Sequence, residues 1–193
     1  MKLIGSRLVR WGAVACAAAT VLGLVEVAVA SDGFASVRSA SARLPQCRTT
    51  DLRLTVVPET LARHHGGGMN HQGATIALTD VGRRTCRVYG YPGAAMVGLG
   101  GGLVPPAQTV RGATWYAADE GPNTIVLRPA RSAYAELSWT SADGVGPAVQ
   151  VKAIVVTPPD ERSTLRAGLS TILGGDHTFR ISALTAAPAR LAG

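Results

Sequence analysis

Short segments in which apolar and polar residues alternate recur along this chain, and they constrain its fold more than any other feature. Leu52, Leu54 and Val56 alternate with polar residues until Pro58 ends the run. Successive side chains of a β-strand point to opposite faces, so this spacing predicts a strand with one buried face. Comparable runs occupy residues 74–78, 86–89, 94–99, 125–127, 134–140, 149–155 and 179–181.

Turn-forming residues separate these runs. Gly, Pro and Asp lie between most of them, often at the spacing of about 8 to 12 residues that is typical of sandwiches. The glycines at 100–102 predict a hairpin between 94–99 and Leu103-Val104. Residues 163–173 fit a short helix and a strand equally well. The whole pattern predicts an all-β chain folded as an antiparallel sandwich.

The polar positions of the runs predict which side chains face solvent. Arg53, Glu136, Lys152 and Arg180 each alternate with apolar neighbours. Because an antiparallel sheet can bury one face and leave the other in water, we expect these four side chains to point outward. Trp139 takes an apolar position in its run, and we expect it in the core.

The first 30 residues have the parts of a secretory signal peptide. Lys2, Arg7 and Arg10 precede a long apolar run, and the segment ends in Ala28-Val29-Ala30. We predict cleavage after residue 30 and export of the remainder. The alternative is an uncleaved membrane anchor, because the apolar stretch is about 20 residues long, just enough to span a bilayer.

The exported part divides into three segments. Residues 31–46, rich in Ser, Ala and Arg, predict a flexible linker. Residues 47–185 are expected to form the β-sandwich domain, and residues 186–193 a disordered tail. We expect contact with a membrane only through the N-terminal segment, and only if it stays uncleaved.

Composition excludes several classes of protein. Charged residues are 16% and hydrophobic residues 47% of the chain, so it is not intrinsically disordered. Only one stretch could span a bilayer, so it is not a multi-pass membrane protein. The net charge of +7 indicates a basic surface that is solvated or attracted to an anionic cell envelope. Nucleic acid is not an expected partner, because basic clusters interleaved with aromatic residues are missing.

The cysteines predict one disulfide. Cys16 leaves with the predicted signal peptide, and its preceding apolar run is too short for a lipoprotein signal. Cys47 and Cys86 remain, and two cysteines in an exported chain most simply pair. The bond would join the chain before the first strand to the third strand, and chain-entropy reasoning gives the closure about 4 kcal/mol.

Several motifs resemble one family of exported domains. Cys47 before Leu52-x-Leu54, the run 78–86 (LTDVGRRTC) and the motif 90–93 (GYPG) are similar to those of an uncharacterised actinobacterial family, Domain of Unknown Function forty-two thirty-two. The likeness covers residues 47–185. It implies export, a disulfide between Cys47 and Cys86, and an immunoglobulin-like β-sandwich, which we expect to have about 7 to 9 strands. Many members carry a second cysteine pair in the C-terminal half, which this chain lacks.

Histidines are the first candidates for chemistry. His64, His65 and His71 lie close together in sequence around a glycine-rich stretch, and three imidazoles could bind a transition metal weakly. His177, preceded by Asp176, could form a hydrolytic site with a serine, Ser138 or Ser182, although no nucleophile-elbow motif is present.

Aromatic and basic residues are the candidates for binding. Trp115 and Tyr116 are adjacent, and such side chains recur at binding surfaces, although core packing would also explain them. Arg83, Arg84 and Arg87 predict a small basic patch by a turn, which serves solubility or contacts envelope phosphates.

We therefore expect a non-enzymatic binding or structural module, secreted or held in the cell envelope, without a cofactor. Its partner would be an unknown protein or an envelope glycan, bound at Trp115 and Tyr116. A metal-binding protein and a cryptic hydrolase are the alternatives. Fold class alone does not decide among them.

Overall fold

The computed structural model describes residues 44–58, 70–104 and 108–188. Within them, a short 3-10 helix at Thr49–Asp51 precedes the β-strands. The strands are β1 (Leu52–Pro58), β2 (His71–Asp80), β3 (Cys86–Tyr89), β4 (Gly93–Gly98), β5 (Gln108–Arg111), β6 (Thr124–Leu127), β7 (Ser132–Thr140), β8 (Val149–Thr157), β9 (Leu165–Leu173) and β10 (Thr178–Ile181). The predicted signal peptide, most of the predicted linker, His64, His65 and the end of the predicted tail lie outside the described residues.

The strands form three sheets. A five-stranded sheet has the order β1-β2-β7-β10-β5, a three-stranded sheet the order β4-β8-β9, and β3 pairs with β6. All pairings are antiparallel except that of β10 with β5, which is parallel. The chain therefore folds as an all-β sandwich, as predicted, with ten described strands where about 7 to 9 were expected. The immunoglobulin-like relation stays a prediction.

One hydrophobic core joins the sheets. The five-stranded sheet contributes Ile76, Leu137 and Phe179, all fully buried, and the three-stranded sheet contributes Met96 and Ile154. These residues occupy the apolar positions of the alternating runs, so burial of one face of each strand stabilises the fold. Trp139 is buried as predicted. Its indole N–H donates to the Ile172 carbonyl at 3.1 Å, which links β7 to β9.

The predicted disulfide is present between Cys47 and Cys86. Cys47 precedes β1, and Cys86 is the first residue of β3. Both half-cystines belong to the core, with exposed fractions of 0% and 5%. The bond thus holds the entrance of the chain against the small sheet, where the Cys47 N–H also donates to the Arg87 carbonyl at 2.9 Å.

Two segments differ from the expectations for their strands. Residues 163–173, which fitted helix and strand equally, contain strand β9. Strand β5 was not predicted: it has only four residues, and it is held by pairing with β10, far along the chain. A four-residue strand without a clean alternation is invisible to a pattern of period two. Among the described residues, no helix has the length and apolar character needed to cross a membrane.

A bulge changes the buried face of β8. The pairing of β8 with β4 shifts register between Val97, opposite Ala153, and Gly98, opposite Val151, so β8 accommodates one extra residue, Lys152. Val151 and Ala153 are buried at odd-numbered positions, whereas Ile154 and Val156 are buried at even-numbered positions. The buried face of the strand thus changes after residue 153. The uninterrupted alternation predicted for 149–155 is therefore wrong beyond residue 153.

The prediction that Glu136 faces solvent is wrong. Its side chain does lie on the outer face of the five-stranded sheet, but only 4% of it is exposed. The carboxylate accepts a hydrogen bond of 2.8 Å from the Thr75 hydroxyl on the neighbouring strand. Residues 112–119, between β5 and β6, cross this face, where the Trp115 N–H donates to Ser138 and Asp119 accepts the Ala183 N–H. Arg53, Lys152 and Arg180 are exposed, as predicted.

Candidate functional site

Residues 112–119, here called the strap, cross the outer face of the five-stranded sheet. A local turn shapes the strap, because the Thr114 hydroxyl accepts hydrogen bonds from the N–H groups of Tyr116 (3.3 Å) and Ala117 (3.0 Å). The Trp115 N–H donates to the hydroxyl of Ser138 on β7 at 3.1 Å. The hydroxyl is fully buried, so this bond fixes the middle of the strap to the sheet.

Asp119 fixes the end of the strap. Its Oδ1 accepts the Ala183 N–H at 3.0 Å, and its Oδ2 accepts the Tyr91 hydroxyl. The hydrogen bond to the Asp119 carboxylate is the main reason that the pKa of Tyr91 lies above its usual value. The guanidinium carbon of Arg111 lies 5.6 Å from the centre of the Tyr91 ring, within the range of a cation–π contact.

The ring of Tyr116 packs on strand β2 at Gly73, a position that has no side chain. Gly73 on β2 lies beneath the ring, and a Cβ atom added there would come within 2.6 Å of Tyr116 Cδ2 and 2.8 Å of the Leu137 carbonyl oxygen. Such distances are shorter than side-chain carbons tolerate, so the absence of a side chain at Gly73 is what lets the ring approach.

Trp115 is 54% exposed, and its indole contacts two other residues of the same sheet face. The imidazole of His71, the first residue of β2, lies 4.3 Å from the indole centroid at an interplanar angle of 41°. The guanidinium carbon of Arg180 on β10 lies 5.8 Å from the same ring. We call His71, Trp115 and Arg180 the Trp115 surface: an exposed indole held by the sheet and flanked by two nitrogen-rich side chains.

A family model described as Domain of unknown function (DUF4232) matches residues 47–186. The chain belongs to this family. The match covers nearly all of the described residues, including the disulfide, the strap and the Trp115 surface. No curated protein and no solved structure matches the chain.

The two aromatic residues singled out in the sequence of this DUF4232 chain have different environments. Trp115 is exposed, whereas Tyr116 is only partly exposed and covers Gly73. Sequence reasoning missed His71 as a neighbour of the indole and gave Arg180 no role beyond solvation. Both reach Trp115 through the pairing of β2 and β10 with β7, which no local pattern reveals.

The histidines proposed as weak metal ligands are not placed as one group by the described residues. His71 contacts the Trp115 ring, and its partners in that proposal, His64 and His65, lie outside the described part of the chain. Within the described ranges, no group of three or more His, Cys, Asp or Glu side chains could hold a metal ion.

The serines considered as nucleophiles both serve the backbone of the DUF4232 fold. The Ser138 hydroxyl accepts the Trp115 N–H, and the Ser182 hydroxyl accepts the Glu136 N–H at 2.9 Å. Ser182 also donates to the Ala183 carbonyl at 3.0 Å. Both serines are buried, with exposed fractions of 0% and 4%, so their hydroxyls fix the strap and the edge of β7.

The basic patch predicted by the β2–β3 turn is divided. Arg83 and Arg84 are exposed. Arg87 is only partly exposed, and its Nε donates to the Leu44 carbonyl at 3.0 Å. Arg87 therefore holds the incoming chain, and Arg83 and Arg84 keep their guanidinium groups available to a ligand.

Proposed function

We propose that this DUF4232 domain is an exported, non-enzymatic binding module that holds an acidic glycan of the cell envelope at the Trp115 surface. The observation that carries the proposal is the indole of Trp115, which is 54% exposed although its backbone is fixed to buried Ser138. A large exposed apolar side chain on a fixed segment is more typical of binding surfaces than of solvated loops.

The chemistry of the three side chains favours an acidic sugar. The flat indole offers an apolar face to the C–H groups of a sugar ring, and a rigid aromatic side chain loses little entropy on binding. The Arg180 guanidinium beside it can pair with a carboxylate through two parallel N–H donors. His71 packs against the indole and supports its orientation.

Export and a non-enzymatic role are proposed on separate grounds. The N-terminal 30 residues have the charge and apolar pattern of a signal peptide, and a buried disulfide suits an oxidising compartment. Ser138 and Ser182, which a hydrolase could use as nucleophiles, are committed to backbone hydrogen bonds. Binding therefore accounts for the strap better than catalysis does.

The test uses the full-length chain and two immobilised polysaccharides, one that contains glucuronic acid and the same polymer after carboxyl reduction. We expect Trp115→Ala to weaken binding to both polymers about 30-fold or more, as for a central aromatic contact. Arg180→Ala should abolish the preference for the acidic polymer while keeping the weaker binding to the neutral one.

Tyr89→Ala is the matched control, because Tyr89 is 45% exposed and lies on β3, outside the strap and the five-stranded sheet. It should bind like the unaltered chain. Equal losses for Trp115→Ala and Tyr89→Ala would contradict the proposed site. A third outcome is that the chain binds to neither polymer but still binds envelope proteins from which the glycans have been digested. In that case the ligand of the Trp115 surface is a protein and not a glycan.

A further inference from the structure

A cavity lies at the end of strand β2 opposite to the Trp115 surface. It is a cavity of about 450 Å³ between the 3-10 helix and the turn after β2, beside the disulfide. Its lining includes Arg48, Asp51, Gly82, Arg83, Arg84 and Cys86. Strand β2 runs from His71 at the Trp115 surface to Asp80 near this cavity, so the surface and the cavity are about 30 Å apart by the rise of a strand.

Hydrogen bonds hold the walls of the cavity in place. The Val81 N–H donates to the Asp51 carbonyl at 2.8 Å, which joins the turn to the 3-10 helix. The Gly82 N–H donates to the buried carboxylate of Asp80 at 2.8 Å. On the other wall, Thr49 next to Arg48 donates its hydroxyl to Glu161 at 2.8 Å. A site whose walls are already ordered loses less entropy when a ligand binds.

The charges around the cavity favour an anion. Three arginines, Arg48, Arg83 and Arg84, and a single carboxylate, Asp51, are among its described lining residues. Within the described part of the chain, none of the three guanidinium groups has an ion-pair partner, and the nearby Asp80 and Glu161 carboxylates accept bonds from Gly82 and Thr49. Asp80 and Glu161 are not among the described lining residues. The three guanidinium groups that line the cavity suit a phosphate monoester, which carries about −1.5 to −2 at neutral pH.

Gln46 adds a requirement for a hydroxyl group on the ligand. It also lines the cavity, and its Nε2 donates to the Pro159 carbonyl at 3.0 Å. Its Oε1 is buried and has no hydrogen-bond partner among the described residues. A buried acceptor without a donor is costly, and a phosphate dianion has no donor to offer it. A hydroxyl on the alcohol part of a phosphate ester would supply one.

We propose that this cavity binds a phosphate monoester of a hydroxylated compound, such as a sugar or glycerol phosphate. The guanidinium groups of Arg48, Arg83 and Arg84 hold the phosphate, since arginine pairs with phosphate oxygens through its planar fork of donors. The Gln46 amide oxygen accepts the ligand hydroxyl. The site is separate from the Trp115 surface and does not depend on a glycan binding there.

The test is calorimetric titration of the full-length chain with glycerol 3-phosphate at low salt. We expect saturable binding, and a loss of affinity of at least about 100-fold in the double variant Arg83→Ala/Arg84→Ala, because charge-assisted hydrogen bonds from two guanidinium groups to the phosphate are removed. The control is Arg53→Ala/Arg166→Ala, which removes the same charge from exposed positions on β1 and β9. It should change the affinity less than about threefold.

Further arms separate the sources of the phosphate. Inorganic phosphate should bind more weakly than glycerol 3-phosphate, and equal affinities would overturn the role of Gln46. Binding to vesicles that contain phosphatidic acid, but not to soluble glycerol 3-phosphate, would assign the same site to a lipid headgroup. Equal losses in the two double variants, or no binding of any of these phosphates at millimolar concentration, would overturn the proposal. Trp115→Ala should leave the titration unchanged.

Discussion

Trp115 and Tyr116 are adjacent in the strap but have different environments. The Trp115 N–H is held by Ser138, and the two side chains beside this bond contact different residues of the same sheet face. Tyr116 covers β2 at Gly73, and Trp115 is left in solvent between His71 and Arg180. Because Tyr116 packs on the sheet at Gly73, replacing it would disturb the strap, whereas replacing Trp115 removes a half-exposed ring together with its contacts to His71 and Arg180.

Gly73 is a position where an added methyl group should lower the stability of the fold. We expect Gly73→Ala to lower the free energy of unfolding by about 1–3 kcal/mol, because the added Cβ would collide with the Tyr116 ring and the Leu137 carbonyl. Urea unfolding followed by fluorescence measures the change. Gly168→Ala on β9 is the control, since a Cβ there would meet nothing within 4 Å. A Gly73→Ala variant as stable as this control would contradict the described position of Tyr116.

At the level of elements, loops at the end of the sandwich are joined through a carboxylate. Asp143, between β7 and β8, accepts the Asp176 N–H and the Val145 N–H, each at 2.9 Å. The bond from the Asp176 N–H is the main reason that the pKa of Asp143 is lowered from 3.8 to about 2. The loop before β8 is thereby tied to the turn before β10.

This bond predicts a dependence of stability on pH. The pKa of Asp143 is lower in the folded chain than in the unfolded chain. The stability that the Asp143 carboxylate provides is therefore complete above about pH 3.8 and is lost as the pH falls through about 2. We expect Asp143→Asn to be less stable at neutral pH and to lose less stability between these two pH values. Chemical unfolding at a series of pH values measures this. Glu120→Gln, at an exposed position, should keep the slope of the unaltered chain.

Local patterns predicted most strands but not the contacts between distant ones. The runs around Leu54, Ile76 and Leu137 fall in strands because burial of one face imposes a period of two. The pattern did not reveal β5, the bulge at Lys152 or the burial of Glu136, because each depends on a partner brought in by folding. The same applies to the site. Trp115 stood out as a residue type, whereas His71 reaches it through sheet pairing alone.

The basic cavity was likewise only half visible in the sequence. Arg83 and Arg84 are adjacent in the chain and were expected to form a patch. Arg48 joins them because the disulfide and the Val81–Asp51 hydrogen bond bring the 3-10 helix against the turn. Arg87, expected in the same patch, instead holds the Leu44 carbonyl.

For the whole molecule, the disulfide should make a large contribution to stability. The bond between Cys47 and Cys86 has a sequence separation of 39, and closing such a loop restricts the unfolded chain. We expect Cys47→Ser/Cys86→Ser to lower the free energy of unfolding by about 4 kcal/mol, a large part of the typical net stability of a domain. Urea unfolding measures this, and the unaltered chain unfolded under reducing conditions should give the same value. A loss below about 1 kcal/mol would contradict the expectation.

The last of the described strands does not lie at an edge of its sheet. Strand β10 is in the interior of the five-stranded sheet, between β7 and β5, and it is the strand with which β5 pairs in the described sheet. A chain leaves the ribosome from its N-terminus onward, so β5 and one side of β7 wait unpaired until residues 178–181 emerge. The nascent chain thus cannot complete its five-stranded sheet until residues 178–181 are available, a property that would suit the export proposed above.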